Sequence, residues 1–331
     1  MRKKAFARFW RSAPRFGAES NTRKMSGWSK LVTMQQAIAE HVPAGSMVLL
    51  GAQLEQMIPF AAGHEIIRQG RRDLTLVGPI SDILFDQLIG AGCVERVMAA
   101  WVGNVSAGMG YCFRRAVEHG VPHAIQTVDY SNFTMALALH AGAMGVPFMP
   151  TYATLGSDLL KRNGNLREFP SPVNEEKLIA VRALKPDVAI LHVQRADEAG
   201  NAHVWGNLGV AADGARASRK VIVVAEEIVA SEVIASDPNR TLIPGFLVAA
   251  VVHEPWGAHP SPVQGYYNRD HAFFSQYHEQ SRAEQDFERW LARWVTGIAS
   301  RADYLNLLGD CRVDSLRVKA HAMAAAADFG Y

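Results

Sequence analysis

No uninterrupted apolar run in the 331-residue chain reaches 18 residues, so no membrane span is expected. Cysteine is scarce. Cys93, Cys112 and Cys311 are odd in number and far apart, which argues against a disulfide framework or a cysteine zinc site and for a reducing, cytoplasmic setting. The sequence also lacks HExxH, clustered Asp, GxSxG, GKS/T and GxGxxG. "LGSD" (155–158) is no nucleophile elbow, and "GNVSAGMG" (103–110) has glycines after a strand without phosphate-loop spacing. No metal site and no permanently bound cofactor are therefore expected. Repeats, heptads and low-complexity linkers are missing as well.

Net positive charge is absent from the body of the chain. Residues 1–30 hold nine Lys/Arg against Glu19 alone, leaving 25 basic and 31 acidic residues for positions 31–331. A mildly acidic body argues against a nucleic-acid surface. The head is expected to be a disordered basic extension, or sequence upstream of a start at Met25. Its Arg-rich, acid-poor composition also suits a transit peptide. Residues 31–331 are read as a single domain.

What the sequence does contain is an alternation of short branched-apolar runs with longer helical patterns. Residues 46–52, 73–79, 94–100, 187–193, 220–226 and 246–252 read as strands covered on both faces, because they are continuously hydrophobic rather than alternating. Helices are expected over 54–70, 108–119, 133–145 and 281–298. In the last, Phe287, Trp290, Leu291, Trp294 and Ile298 form one face, with Ser281 as N-cap and Glu284 three residues on. The expected fold is α/β: a largely parallel open sheet with helices on both faces. The polar stretch 161–177 is expected to leave the compact body.

Two segments carry the chemistry. In "PAGSMVLLGAQLEQMIP" (43–59), Gly51 lies where a buried strand leaves the sheet, the end at which open α/β sheets bind ligands. It reads either as an anion-approach glycine or as a packing glycine. "DVAILHVQRADEAGNAHVWGN" (187–207) reads as a strand, a turn with Gly200 at positive φ and Asn201 bonding locally, and a return strand. His253 and His259 are six apart with Pro255 and Gly257 between them, and His192 and His203 have no carboxylate at ligand spacing. Each reads as a hydrogen-bonded wall or core residue.

As strings, these segments resemble the alpha subunits of family I coenzyme A transferases of the glutaconate type. The likeness runs through "WVGNVSAG" (101–108), "AGAMGVPFMPTYATLGSDL" (141–159), the 187–206 segment, "KVIVVAEEIVASEVIASDPNRTLIPGFLVAAVV" (220–252), "PWGAHPSPVQGYYNRD" (255–270) and "ADYLNLLG" (302–309). It covers about residues 31–310. This chain departs from the family's Gly-Gly-Phe, reading Gly51-Ala52-Gln53, and has Ala44 where the family has an acid. After "DYS" (129–131) it has Asn132, where the glutaconate type has Gln and ring-opening hydrolases of the same fold can place Glu.

The resemblance implies a ping-pong transfer between an acyl-CoA and an organic acid, through a glutamate carried by a beta subunit. On that reading this chain has no catalytic residue of its own, is inert without the beta subunit, and works in a hetero-oligomer with CoA and acyl-CoA as substrates. Gly51, Gln53, Asn104, Ser131, Asn132 and His259 are expected to line the substrate pocket, and Glu226 and Glu227 to be structural or interface residues. "HEPWGAHPSPVQGYY" (253–267) becomes a pocket or interface segment stiffened by Pro255, Pro260 and Pro262, with His259 and Tyr266 as polar anchors. The alternatives are an alpha subunit of a ring-opening acyl-CoA hydrolase and a non-catalytic acyl-CoA or partner-binding scaffold.

Overall fold

A computed structural model describes residues 29–319 of the chain. Of the basic extension, only Ser29 and Lys30 fall within them. Lys30 is already tied to the body: its N–H donates to the Glu198 carbonyl at 2.8 Å and its Nζ to the Gly245 carbonyl at 2.7 Å.

Twelve strands of three or more residues, or paired into the main sheet, organise the molecule. They are β1 (Met47–Leu49), β2 (Leu74–Ile80), β3 (Val94–Trp101), β4 (Gln126–Asp129), β5 (Phe148–Thr151), β6 (Leu166–Pro170) and β7 (Lys177–Arg182). The chain continues through β8 (Val188–Ala196), β9 (Ala202–His203), β10 (Lys220–Ile228), β11 (Thr241–Ile243) and β12 (Val248–His253). The longer helices are α1 (Met34–His41), α2 (Phe60–Arg68), α3 (Ile83–Gly90), α4 (Tyr111–His119) and α5 (Asn132–Met144). After them come α6 (Ala211–Ala217), α7 (His271–Gln280), α8 (Glu284–Leu291), α9 (Arg301–Leu308) and α10 (Asp310–Leu316).

A nine-stranded sheet forms the spine. All pairings along β12–β10–β8–β1–β2–β3–β4 are parallel, and β9 and β11 add antiparallel beside the far end of β8. The strand order reverses between β1 and β8, creating the crevice in which open parallel sheets place ligands.

The continuous hydrophobic runs follow from burial on both faces. Side chains alternate across the pleat, so Val48, Leu50, Val188, Ile190, Ile222 and Val224 enter one core, with α1, α2, α3, α7 and α8. Leu49, Ala189, Leu191, Val193, Val221 and Val223 enter the other, with α5 and α6. Each large apolar side chain among them contributes about 1.5–3 kcal/mol on burial.

Several boundaries differ from the sequence reading. The helix expected from residue 54 starts at Phe60, because Leu54 and Met57 have φ of 62° and 51° and Pro59 precedes it. The intervening turn is bonded instead to the 257–262 loop, through Met57 N–H to the Pro262 carbonyl at 3.0 Å. Ser281 does not cap α8. It ends α7, donating Oγ–H to the His278 carbonyl, and Ala283 precedes α8 without a side-chain bond. The helix expected to run to 298 passes into a π-helical turn, Ala292–Thr296. The 161–177 stretch is not a simple excursion, since β6 within it pairs with β7, and β7 with β5, in a small antiparallel sheet.

Candidate functional site

The carboxyl ends of β1, β2, β3 and β4 lie side by side and gather most of the polar residues singled out in the sequence. At the end of β1 the chain turns at Gly51, φ +66°. A Cβ there would lie 2.0 Å from Ser81 Oγ and 2.4 Å from the Ile80 carbonyl oxygen, so the glycine lets two neighbouring strand ends nearly touch. Gln53 follows, buried, with Nε2 donating to the His192 carbonyl at 3.2 Å. Its Oε1 and the buried Ser81 Oγ have no protein partner among the described residues. Buried polar atoms in folded proteins are nearly always hydrogen-bonded, which sets these two apart.

Next along the edge, β3 runs into a tight hairpin, Gly103–Asn104 paired with Gly108–Met109. Asn104 is buried and shapes it: Nδ2 donates to the Phe274 carbonyl at 2.8 Å, and Oδ1 accepts from the Ser106 N–H at 3.0 Å. Past β4, Ser131 is the N-cap of α5, its Oγ accepting from the Thr134 N–H at 3.1 Å in a reciprocal capping box. Asn132, the first residue of α5, is exposed.

The structure thus places Gly51, Gln53, Asn104, Ser131 and Asn132 at the ends of β1, β3 and β4. His259 lies elsewhere. It is fully buried in the loop after β12, its Nδ1 at 2.8 Å from the Tyr304 hydroxyl and its Nε2 at 3.0 Å from Asp270. Burial drives the ring down to about 4 against the pull of Asp270, so it is neutral, donating to Asp270 and accepting from Tyr304. Burial would raise Asp270, but hydrogen bonds from His259 and Arg312 outweigh it and hold the carboxyl well below the usual range. His259, expected among the pocket-lining residues, is enclosed here with both ring nitrogens partnered, and it ties the 256–262 loop to Asp270 and Tyr304.

The rest of that loop behaves in the same way. Trp256, at φ +62°, stacks on Tyr267 with ring centroids 4.2 Å apart. Glu226 is buried and accepts three hydrogen bonds: from His192 Nε2 at 2.7 Å, the Tyr267 hydroxyl at 2.6 Å and the Trp256 N–H at 2.8 Å. Glu227 pairs with Arg195 at 2.8 Å. Three of the roughly four lone-pair sites of the Glu226 carboxylate are thus committed inside the protein, and the side chain is nearly closed to solvent.

Sequence reasoning missed Ser81, Asp82 and Arg269. Asp82 directly precedes α3 at φ +45°, and Arg269 pairs with it at 2.8 Å, both side chains being fully buried. Burial pushes the Asp82 carboxyl up to about 6, against the attraction of Arg269. The polar pair "SD" between an apolar strand and an apolar helix was the available signal. Among the described residues, no group of three or more His, Cys, Asp or Glu could hold a metal ion, and no helix is long and apolar enough to cross a membrane.

Comparison with known proteins places this arrangement. The sequence model described as "Coenzyme A transferase" matches residues 31–254. The A-subunit of 3-oxoadipate CoA-transferase from Pseudomonas knackmussii is 38% identical over 83% of this chain and 97% of its own. The A-subunit of glutaconate CoA-transferase from Acidaminococcus fermentans is 34% identical over 88% of this chain and 95% of its own. The crystal structure of the Acidaminococcus fermentans transferase superposes with a TM-score of 0.83, covering 88% of this chain and 96% of that one at 34% identity. A cholesterol ring-cleaving hydrolase IpdA subunit of Rhodococcus jostii is 28% identical over 83% of this chain and 94% of its own. The shared fold, the ordered sequence blocks and the near-complete coverage give one assignment: the chain belongs to the coenzyme A transferase family.

Proposed function

We propose that this chain is the alpha subunit of a heteromeric coenzyme A transferase, moving CoA between an acyl-CoA and an organic acid of the dicarboxylate class. The observation that carries this reading is the likeness to the A-subunits of two named CoA-transferases, which extends over nearly their whole length. Both are named for dicarboxylates. The chain's own paired glutamates favour a division of labour, because Glu226 is buried and accepts three internal hydrogen bonds and Glu227 is engaged by Arg195.

In the proposed reaction the carboxylate of a glutamate on the beta subunit attacks the thioester carbonyl, forming an acyl-glutamyl anhydride and expelling CoA thiolate. The thiolate returns to the glutamyl carbonyl, releasing the first acid and leaving an enzyme–CoA thioester. The second acid then repeats the two steps in reverse order and departs as its CoA ester. This chain contributes one wall of the pocket at the carboxyl ends of β1–β4. Asn132 offers an amide and no carboxylate at the rim, which favours transfer over the hydrolysis named for the Rhodococcus relative.

The test is to purify the chain together with its cognate beta partner and follow CoA-ester exchange by mass spectrometry across a panel of mono- and dicarboxylic acids. Exchange requiring both chains and an acceptor acid is expected. Free acid released without an acceptor would move the assignment to the hydrolase. Tight pairing without any turnover would leave a scaffold.

A further inference from the structure

The geometry points to Asp82 and Arg269 as a positioning pair that clamps the Gly103–Met109 hairpin to the carboxyl edge of the sheet and so sets one border of the candidate site. Asp82 joins two elements that the sheet alone does not join. Its Oδ1 accepts from the Val105 N–H in the hairpin at 3.3 Å, while its Oδ2 lies 2.8 Å from Arg269 Nη2, in the segment leading to α7. The same Nη2 donates to Ser106 Oγ at 3.3 Å, so the guanidinium reaches the hairpin as well. Asn104 closes the circuit from the hairpin to the Phe274 carbonyl.

Three features argue that the pair serves position rather than stability. A buried ion pair adds little to stability unless its remaining hydrogen-bonding groups are satisfied. Here Arg269 Nε and Nη1 have no partner among the described residues, and the guanidinium is covered by the Phe274 ring, 3.6 Å away. Asp82 is held at φ +45°, a left-handed value that a residue with a Cβ rarely adopts and that concentrates at functional sites. The clamp also adjoins the two unpartnered acceptors of the edge: Ser81 is the preceding residue, and Gly51, on which Ser81 packs, lies two residues before Gln53.

This inference rests on the proposed transferase reading for its kinetic half, so the test has a second half that does not. Asp82→Asn, Arg269→Lys and the double variant Asp82→Asn/Arg269→Met would be prepared in the full chain with its cognate beta partner. Hydrogen exchange at the Val105 amide is expected to quicken about tenfold or more in Asp82→Asn, with Arg269→Lys intermediate. In the complex, kcat is expected to fall about tenfold or more while KM changes less than threefold. The double variant, having no unpaired buried charge, should regain the melting temperature lost by the single variant but not its kcat. A Val105 amide that exchanges as in wild type, or wild-type kcat and KM in a folded variant, would overturn the proposal. If the wild-type complex transfers no CoA to any acid, the functional reading fails, and amide exchange alone decides whether the clamp exists.

Discussion

His259 and Asp82 are both buried and both titrate away from their ordinary values, but with opposite consequences. The His259 ring takes a proton at about 6.5 in the unfolded chain and only at about 4 in the folded one. Its contribution to stability is complete above 6.5 and declines as pH falls toward 4. Asp82 is the reverse: the folded carboxyl binds a proton at about 6 and the unfolded one at 3.8, so acidification across that window stabilises the fold. Each effect is on the order of 3 kcal/mol at about 1.4 kcal/mol per unit. Denaturant melts from pH 7 to 4 should therefore show a steeper loss of stability in Asp82→Asn than in wild type, and a shallower one in His259→Phe. At neutral pH, His259→Ala should cost about 3 kcal/mol by opening a cavity and stranding Asp270 and Tyr304, read as a lower denaturant midpoint. The sequence reading of His259 as a hydrogen-bonded wall or core residue was open between the two, and its two ring-nitrogen partners decide for the core. Asp82 and Arg269 are ordinary polar residues far apart in the chain, and nothing local announces that they meet.

At the scale of elements, six of the seven parallel strands were readable because burial on both faces writes itself as an unbroken apolar run, whereas β4, exposed along most of its length at the sheet's edge, was missed. β5, β6 and β7 form a smaller sheet of four to six residues per strand, with only Leu166, Ile179 and Val181 buried among them, too few apolar positions for a period to stand out. The 54–59 turn looked helical by composition. Of its two positive-φ residues, Leu54 donates back to the Gly51 carbonyl, but Met57 is held by the Pro262 carbonyl, a partner about two hundred residues on. Glycines make the same point by experiment. Gly45 and Gly51 have φ of +77° and +66°, but a Cβ on Gly45 would meet nothing within 4 Å, whereas one on Gly51 would collide with the Ser81 side chain and the Ile80 backbone. Gly45→Ala should cost about 1–2 kcal/mol from backbone strain alone. Gly51→Ala should cost clearly more, because β1 and β2 must separate to admit it. Equal denaturant midpoints for the two variants would refute the close-approach role.

For the whole molecule, the decisive join is the middle of the sheet, where Val48 and Leu49 pair with Val188 and Ala189. Neither core can close without it, since β8 and β10 supply the branched side chains that face both helical layers. A chain ending at Pro186 retains β1 to β7 yet should show no cooperative unfolding transition by circular dichroism, and a sharp transition would contradict that dependence. The same join has a meaning in time. On a ribosome moving at about 5–20 residues per second, on the order of ten seconds separate the emergence of β1 from that of its neighbour β8. For that interval the growing chain carries a short apolar strand with one open edge, a natural client for a chaperone that holds such edges until the second half arrives.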